Sequence, residues 1–255
     1  MLAILFAALV SVIAWQRLQP REREPVYQGK PLSSWLRAYD ALEQPQQVRE
    51  AHEAVNQAGT NAIPTLLRLL RARDSALKVK LMALAQRQHF IKVEYTPATV
   101  WNWVAPFAFG ESGAKAQNTV PELVEIANGD ISPASKTGAI MALGCIGPSA
   151  KEAVPSLLRW ATNANANVRS SSIVALSNIG AEPDRVVPVL INAVHDPNFR
   201  TSAVLALENF GPDAKSAVPA LLELLAAHNS LLEDSVVAEA LVKIDPEAAA
   251  KAGVK

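Results

Sequence analysis

The sequence predicts an all-α protein, a right-handed α-solenoid of about six helical hairpins with an apolar helix at its N-terminus. Three observations predict it. A short motif, an apolar residue and proline opening a Leu-rich run, recurs as Ile63-Pro64-Thr65-Leu66-Leu67, Val120-Pro121-Glu122-Leu123-Val124, Val154-Pro155-Ser156-Leu157-Leu158, Val187-Pro188-Val189-Leu190-Ile191 and Val218-Pro219-Ala220-Leu221-Leu222, with prolines 57, 34, 33 and 31 residues apart. Between the prolines lies a second motif, Ala-Leu running to glycine, at Ala139–Gly147, Ile173–Gly180 and Val204–Gly211; each of these glycines precedes the next repeat proline by eight residues. The composition completes the picture: 255 residues, 50% hydrophobic and 19% charged, which is too apolar for disorder and suits a chain with a long buried seam. A repeat of this length with two helical stripes cannot cover its own apolar faces, so neighbouring hairpins must stack.

The elements follow in order. Met1–Trp15 is an unbroken apolar run in which Ser11 is the one polar residue. As a helix it spans about 22 Å, short of the ~30 Å hydrocarbon core, with Trp15 and Arg17 suited to the interface. Residues 1–18 are therefore expected to be a membrane anchor or signal segment. Arg17, Arg21 and Arg23 follow the run and favour a cytoplasmic C-terminal domain if the segment is retained. Cleavage would instead export the domain to the periplasm or beyond. Residues 19–31, with Pro20, Pro25 and Pro31, read as an extended tether.

The solenoid then occupies 32–250, with approximate repeats 32–60, 61–111, 112–148, 149–181, 182–212 and 213–250. In each hairpin the motif proline opens helix A, because a first-turn proline lacks only a donor that would be orphaned anyway. A polar break follows, as at Asn163–Asn167, and helix B runs to a glycine suited to a left-handed C-terminal position. Ile173, Leu176 and Ile179 give the stripe spacing of such a helix. The first repeat is expected to place helix A near Leu32–Leu42 and helix B near Gln46–Ala58. The 57-residue interval has room for one additional helix. Its expected contents are helix A at Ile63–Arg71, an inserted helix at Ala76–His89, and helix B at Pro97–Phe109 ending at Gly110.

These residues resemble HEAT repeats, particularly the PBS-lyase HEAT-like type. Ala153-Val154-Pro155-Ser156-Leu157-Leu158, the later Val168-Arg169, and Ala175-Leu176 leading to Ile179-Gly180 carry the likeness, which extends over about Pro31–Ala250. Glu24–Leu36 is similar to the entry segment of membrane-anchored bacterial HEAT-repeat proteins, which implies a bacterial inner membrane as the location. The resemblance implies a scaffold and says little about function, because the repeat serves many.

Candidate chemistry is sparse. His52, His89, His195 and His228 have no helical metal-pair spacing. HEAT-like proteins that bind iron through repeated His-Glu pairs would need more than His52-Glu53. Cys145, the single cysteine, sits in an apolar run and reads as a buried thiol. No catalytic, cofactor-binding or metal residue is expected, and no cofactor.

Two sets of residues are candidates for binding a partner. Lys136, Arg169 and Arg200 each lie eleven residues before their repeat glycine, so stacking forms a basic ladder; their competing role is pairing with turn residues such as Asn165 and Asp196. Six of fourteen aromatics, Phe90, Tyr95, Trp101, Trp103, Phe107 and Phe109, fall within twenty residues. The favoured reading is that these side chains fill the junction made by the inserted helix; the competing one is an exposed patch that anchors a partner, open to at least one of Trp101 and Trp103, which are two apart and cannot share one helical face. Charge is divided: Gln16–Tyr95 holds 13 Lys/Arg against 8 Asp/Glu, and Thr96–Lys255 holds 11 against 16.

The functional expectation is a non-catalytic, membrane-tethered scaffold that binds a protein or peptide. A bilin-lyase-like enzyme or accessory is the alternative implied by the repeat type, and it lacks a recognisable constellation here. Nucleic-acid binding, as in HEAT-like DNA glycosylases, is disfavoured by zero net charge and the acidic second half.

Overall fold

The computed structural model describes residues 24–40, 44–87, 95–227 and 231–254. The expected apolar helix at Met1–Trp15 lies outside these residues, as do His89, Phe90 and His228. Among the described residues, no helix is long and apolar enough to cross a membrane.

The chain enters through a hairpin of β1 (Val26–Tyr27) and β2 (Lys30–Pro31). This corrects the expectation of an extended tether for Glu24 onward. Gln28 and Gly29 both have positive φ, 46° and 75°, the geometry of a two-residue primed turn. The hairpin is docked: Leu32 N–H donates to the Pro25 carbonyl, Trp35 Nε1 donates to the Tyr27 carbonyl at 3.1 Å, and Glu24 accepts from Ser33 N–H and pairs with Arg68.

The helices are α1 (Leu32–Leu36), α2 (Pro45–Ala58), α3 (Ile63–Leu70), α4 (Ala76–Arg87), α5 (Ala98–Ser112), α6 (Val120–Asn128) and α7 (Pro133–Ile146). They continue as α8 (Val154–Trp160), α9 (Ala166–Ile179), α10 (Pro183–Val194), α11 (Arg200–Phe210), α12 (Val218–Ala227), α13 (Leu231–Ile244) and α14 (Pro246–Lys251). Helix A of the first repeat is shorter than expected: α1 stops at Leu36 and tightens into a 3₁₀ turn over Arg37–Asp40.

The result is an all-α solenoid. α5, α7, α9, α11 and α13 stack side by side as B helices, and α3, α6, α8, α10 and α12 pack as A helices on their own B partners. One continuous core runs through the stack from Leu32 to Ala249. Each of these B helices carries a buried alanine in its interior: Ala108, Ala142, Ala175, Ala206 and Ala240. Small residues let helix backbones approach closely at a crossing. Two α7 glycines take this furthest. A Cβ on Gly138 would lie 2.3 Å from the Asn102 carbonyl oxygen of α5, and one on Gly144 would lie 2.9 Å from Ala175 Cα of α9.

Two helix boundaries depart from the sequence reading. α5 continues through Gly110 to Ser112 and ends at Gly113, whose φ is +45°. Pro106 sits inside it without ending it. The helix tolerates Pro106 because its lost bond frees the Asn102 carbonyl, and Gly138 fits against that oxygen. In the fifth repeat, helix A starts at Pro183 rather than at Pro188, which lies in its second turn. Pro188 and Asp184, four residues before it, are both exposed, so the carbonyl left without a donor lies on a solvent-facing stretch of the helix.

Candidate functional site

Taking Gly113 as the end of helix B puts the second repeat into register with the others. Gly113 precedes Pro121 by eight residues, the same interval as Gly147, Gly180 and Gly211 keep to their prolines. Ala108-Phe109 then occupies the place of Ala142-Leu143, Ala175-Leu176 and Ala206-Leu207. Eleven residues before the glycine, the position of Lys136, Arg169 and Arg200, the second repeat carries Asn102.

Asn102 explains what that position does. Its Nδ2 donates to the carbonyls of Leu69 at 3.0 Å, Leu70 at 2.9 Å and Ala72 at 3.3 Å, the open C-terminal end of α3. Arg169 Nε donates to the Asn163 carbonyl at 2.9 Å and Arg200 Nε to the Val194 carbonyl at 3.2 Å, again just beyond or at the end of helix A. Helix ends leave carbonyls without intrahelical donors, and a side chain from helix B supplies them. Arg169 also bridges to the next repeat: its guanidinium pairs with Asp196 at 3.0 Å and lies 4.5 Å from the Phe199 ring centre. The ladder is thus occupied in holding turns together at Arg169 and Arg200. Lys136 differs, lining a hollow of about 260 Å³ with Asp130, Ser132 and Asn163.

The aromatic cluster divides along the same register. Trp101 falls on the row of Val168 and Phe199 and packs, half-buried, against the core. Phe109 is fully buried. Trp103 falls on the row of Thr137, Ser170 and Thr201 and is 51% exposed, its ring edge-on to Phe107 at 5.5 Å. Tyr95 closes the start of α5. Its hydroxyl donates to Asp74 at 2.5 Å, and Asp74 also accepts from the Ala98 amide and from Lys78. Burial pushes the Asp74 carboxyl up, but these three donors outweigh it and hold the carboxyl below its usual range. Burial and the Asp74 partner push the Tyr95 hydroxyl up to about 12.

Two surface rows cross the B stack. One is apolar: Phe107, Met141, Val174 and Leu205, with Val174 and Leu205 each 46% exposed. The other carries Trp103 and then hydroxyls at Thr137, Ser170 and Thr201. Between α5, α7 and α9 these rows border a groove of about 530 Å³, lined by Trp103, Thr137, Met141, Asn167, Ser170 and Ser171 among others, with no titratable side chain.

Elsewhere, His52 Nδ1 lies 2.6 Å from Glu111 Oε1 and 3.2 Å from the Tyr39 hydroxyl, tying the first repeat to α5. No group of three or more His, Cys, Asp or Glu among the described residues could hold a metal ion. Burial pushes the Cys145 thiol up to about 11, so it stays protonated at neutral pH and is a poor nucleophile.

Sequence reasoning missed Asn102 as a ladder member because it took Gly110 for the end of helix B. The eight-residue interval to Pro121 was the signal that could have found it.

Comparison with known proteins bears on the fold. HEAT repeats match residues 120–208, and the PBS lyase HEAT-like repeat matches residues 199–227. No curated protein matches the chain. Among solved structures the chain is similar to the crystal structure of an engineered protein, at 18% identity and a TM-score of 0.45, over 84% of this chain and 96% of that one. Hairpins in the same register continue the matched repeats on either side, so the fold is an all-α solenoid of HEAT-like repeats.

Proposed function

We propose that the protein is a non-catalytic scaffold, tethered to a membrane by Met1–Trp15, that binds a protein or peptide partner across its B helices. One observation carries the binding half: Phe107, Met141, Val174 and Leu205 repeat at one register across four stacked helices, with Trp103 exposed beside them. Apolar side chains left at the same place in successive repeats form a continuous strip, and such strips mark interaction surfaces. Trp103 and Lys136 are the contact residues of this reading. Trp101, Arg169 and Arg200 support the surface from behind by fixing the core and the turns. The tether rests on the composition of the first fifteen residues.

Proximity crosslinking in cells tests the binding half. Val174→Glu with Leu205→Glu should remove the partner set captured by the unaltered chain, while Arg185→Glu, on helix A of the fifth repeat, should keep it. An unchanged set in the first variant, with helicity retained, sinks the reading. Membrane fractionation with protease protection and intact-mass analysis tests the tether. Recovery of the whole chain in the soluble fraction removes it.

A further inference from the structure

The inserted helix α4 packs apart from the core of the solenoid. Its buried residues, Met82 and Ala85, are outside the continuous core that joins all the repeats. Lys78 and Leu81 are half-buried, and the rest of the helix is exposed. Leu77 is 68% exposed, Leu84 52% and Val79 48%. Leu77, Lys80, Leu84 and Arg87 follow the spacing i, i+3, i+7, i+10, so they form one face. The helix contains no acidic residue. Lys78 is engaged by Asp74, and Arg71 by Glu122. Arg73, Lys80 and Arg87 are exposed and have no ion-pair partner among the described residues.

We propose that this face of α4, with Leu77 and Leu84 as apolar anchors and Lys80 and Arg87 between and beside them, seats on an anionic lipid surface. The helix is about 18 Å long, too short to span a bilayer and suited to lying in its interface. Interleaved leucines and cations match acyl boundary and anionic headgroups together. The excess of 13 Lys/Arg over 8 Asp/Glu in Gln16–Tyr95 adds attraction of the same sign. The inference deepens the tethering half of the proposed function and rests on it for the nearness of a membrane. The tether would hold the chain at the bilayer, and α4 would set which side of the solenoid faces it.

The test uses the full chain with an environment-sensitive fluorophore at Ala83→Cys, exposed beside Leu84, in a Cys145→Ser background. Vesicles are phosphatidylcholine alone, or phosphatidylcholine with about 30% phosphatidylserine. The label should shift to the blue on anionic vesicles only. Lys80→Glu with Arg87→Glu should lower partition into anionic vesicles about tenfold or more, and leave binding to neutral vesicles unchanged. Leu5→Arg with Val10→Arg probes the tether separately. It should abolish binding to neutral vesicles and preserve the charge-dependent gain on anionic ones. If it leaves neutral binding intact, the tether fails while the α4 result stands. The α4 proposal is overturned if the label stays unshifted on anionic vesicles that carry the chain, or if charge reversal leaves the anionic preference intact. A shift that grows with protein concentration without vesicles assigns the face to a second copy and overturns it as well.

Discussion

The fourth and fifth repeats and the second repeat solve one problem with different side chains. In the regular repeats a long cation, Arg169 or Arg200, reaches from helix B to the carbonyls near the end of helix A. In the second repeat the short Asn102 does so and is 2% exposed. An arginine can keep part of its guanidinium in solvent and reach across to the next turn, as Arg169 does to Asp196. An amide buried this deeply cannot, and it needs the helices close together. Pro106 and Gly138 act on the same residue at a different contact, between α5 and α7, one by freeing the Asn102 carbonyl and the other by leaving room for it. The comparison teaches that successive repeats keep one task, satisfying carbonyls near the end of helix A, while the side chain that performs it differs in length and burial.

The sharpest way to break this comparison is at Gly138. Gly138→Val would place side-chain atoms against the Asn102 carbonyl, 2.3 Å from the site of the Cβ, and should cost about 3 kcal/mol or more in urea unfolding. A loss under about 1 kcal/mol would mean that α5 and α7 are not in close contact. Next is Asn102→Ala, which removes the Nδ2 donor from the Leu69, Leu70 and Ala72 carbonyls, of which Leu69 keeps the Ala72 N–H, and should cost about 2–3 kcal/mol. Arg169→Ala should cost less, about 1–2 kcal/mol, because its turn is closer to water. Equal losses in these two variants would erase the distinction between the repeats.

The helix end supplies a paired test. Gly113→Ala, at φ +45°, should destabilise by about 1–2 kcal/mol. Gly110→Ala has ordinary clearance, 3.5 Å to the nearest atom, and should be neutral or stabilising by up to about 1 kcal/mol in thermal unfolding. The reverse order would restore Gly110 as the end of the helix.

The smallest effect concerns pH. Asp74 has a folded pKa below its unfolded value near ~3.9. Its contribution to the α5 junction is therefore present above about pH 4 and lost as pH falls through the folded value. Stability curves of the unaltered chain and Asp74→Asn should differ at neutral pH and converge in acid. Parallel curves down to the acid transition would remove Asp74 from that role.

Much of the fold was legible because it is local. Proline at a helix start, glycine at a helix end and apolar spacing within a helix act over a few residues, so hairpins and their stacking followed from the chain alone. The hairpin at Val26–Pro31 was hidden because three prolines within residues 19–31 suggested an extended tether, while Gln28-Gly29 marked a turn. The candidate surface was legible only in part. Lys136, Arg169 and Arg200 were recognised as one row, but the competition between binding and turn support was decided by distances to Asn163, Val194 and Asp196.

By itself, the sequence determined the repeat period, the order of A and B helices, the insertion in the second repeat and the division of charge. The tertiary structure decided where α5 ends, that Trp101 packs inward while Trp103 faces out, and that Asn102 belongs with the arginines. The physical reason is range. Backbone propensity and capping are settled by neighbours in sequence. Whether a helix continues past a proline depends on whether another element leaves room for the freed carbonyl, as Gly138 does for that of Asn102, and which side chain caps a distant carbonyl depends on which residues the stacking brings within reach.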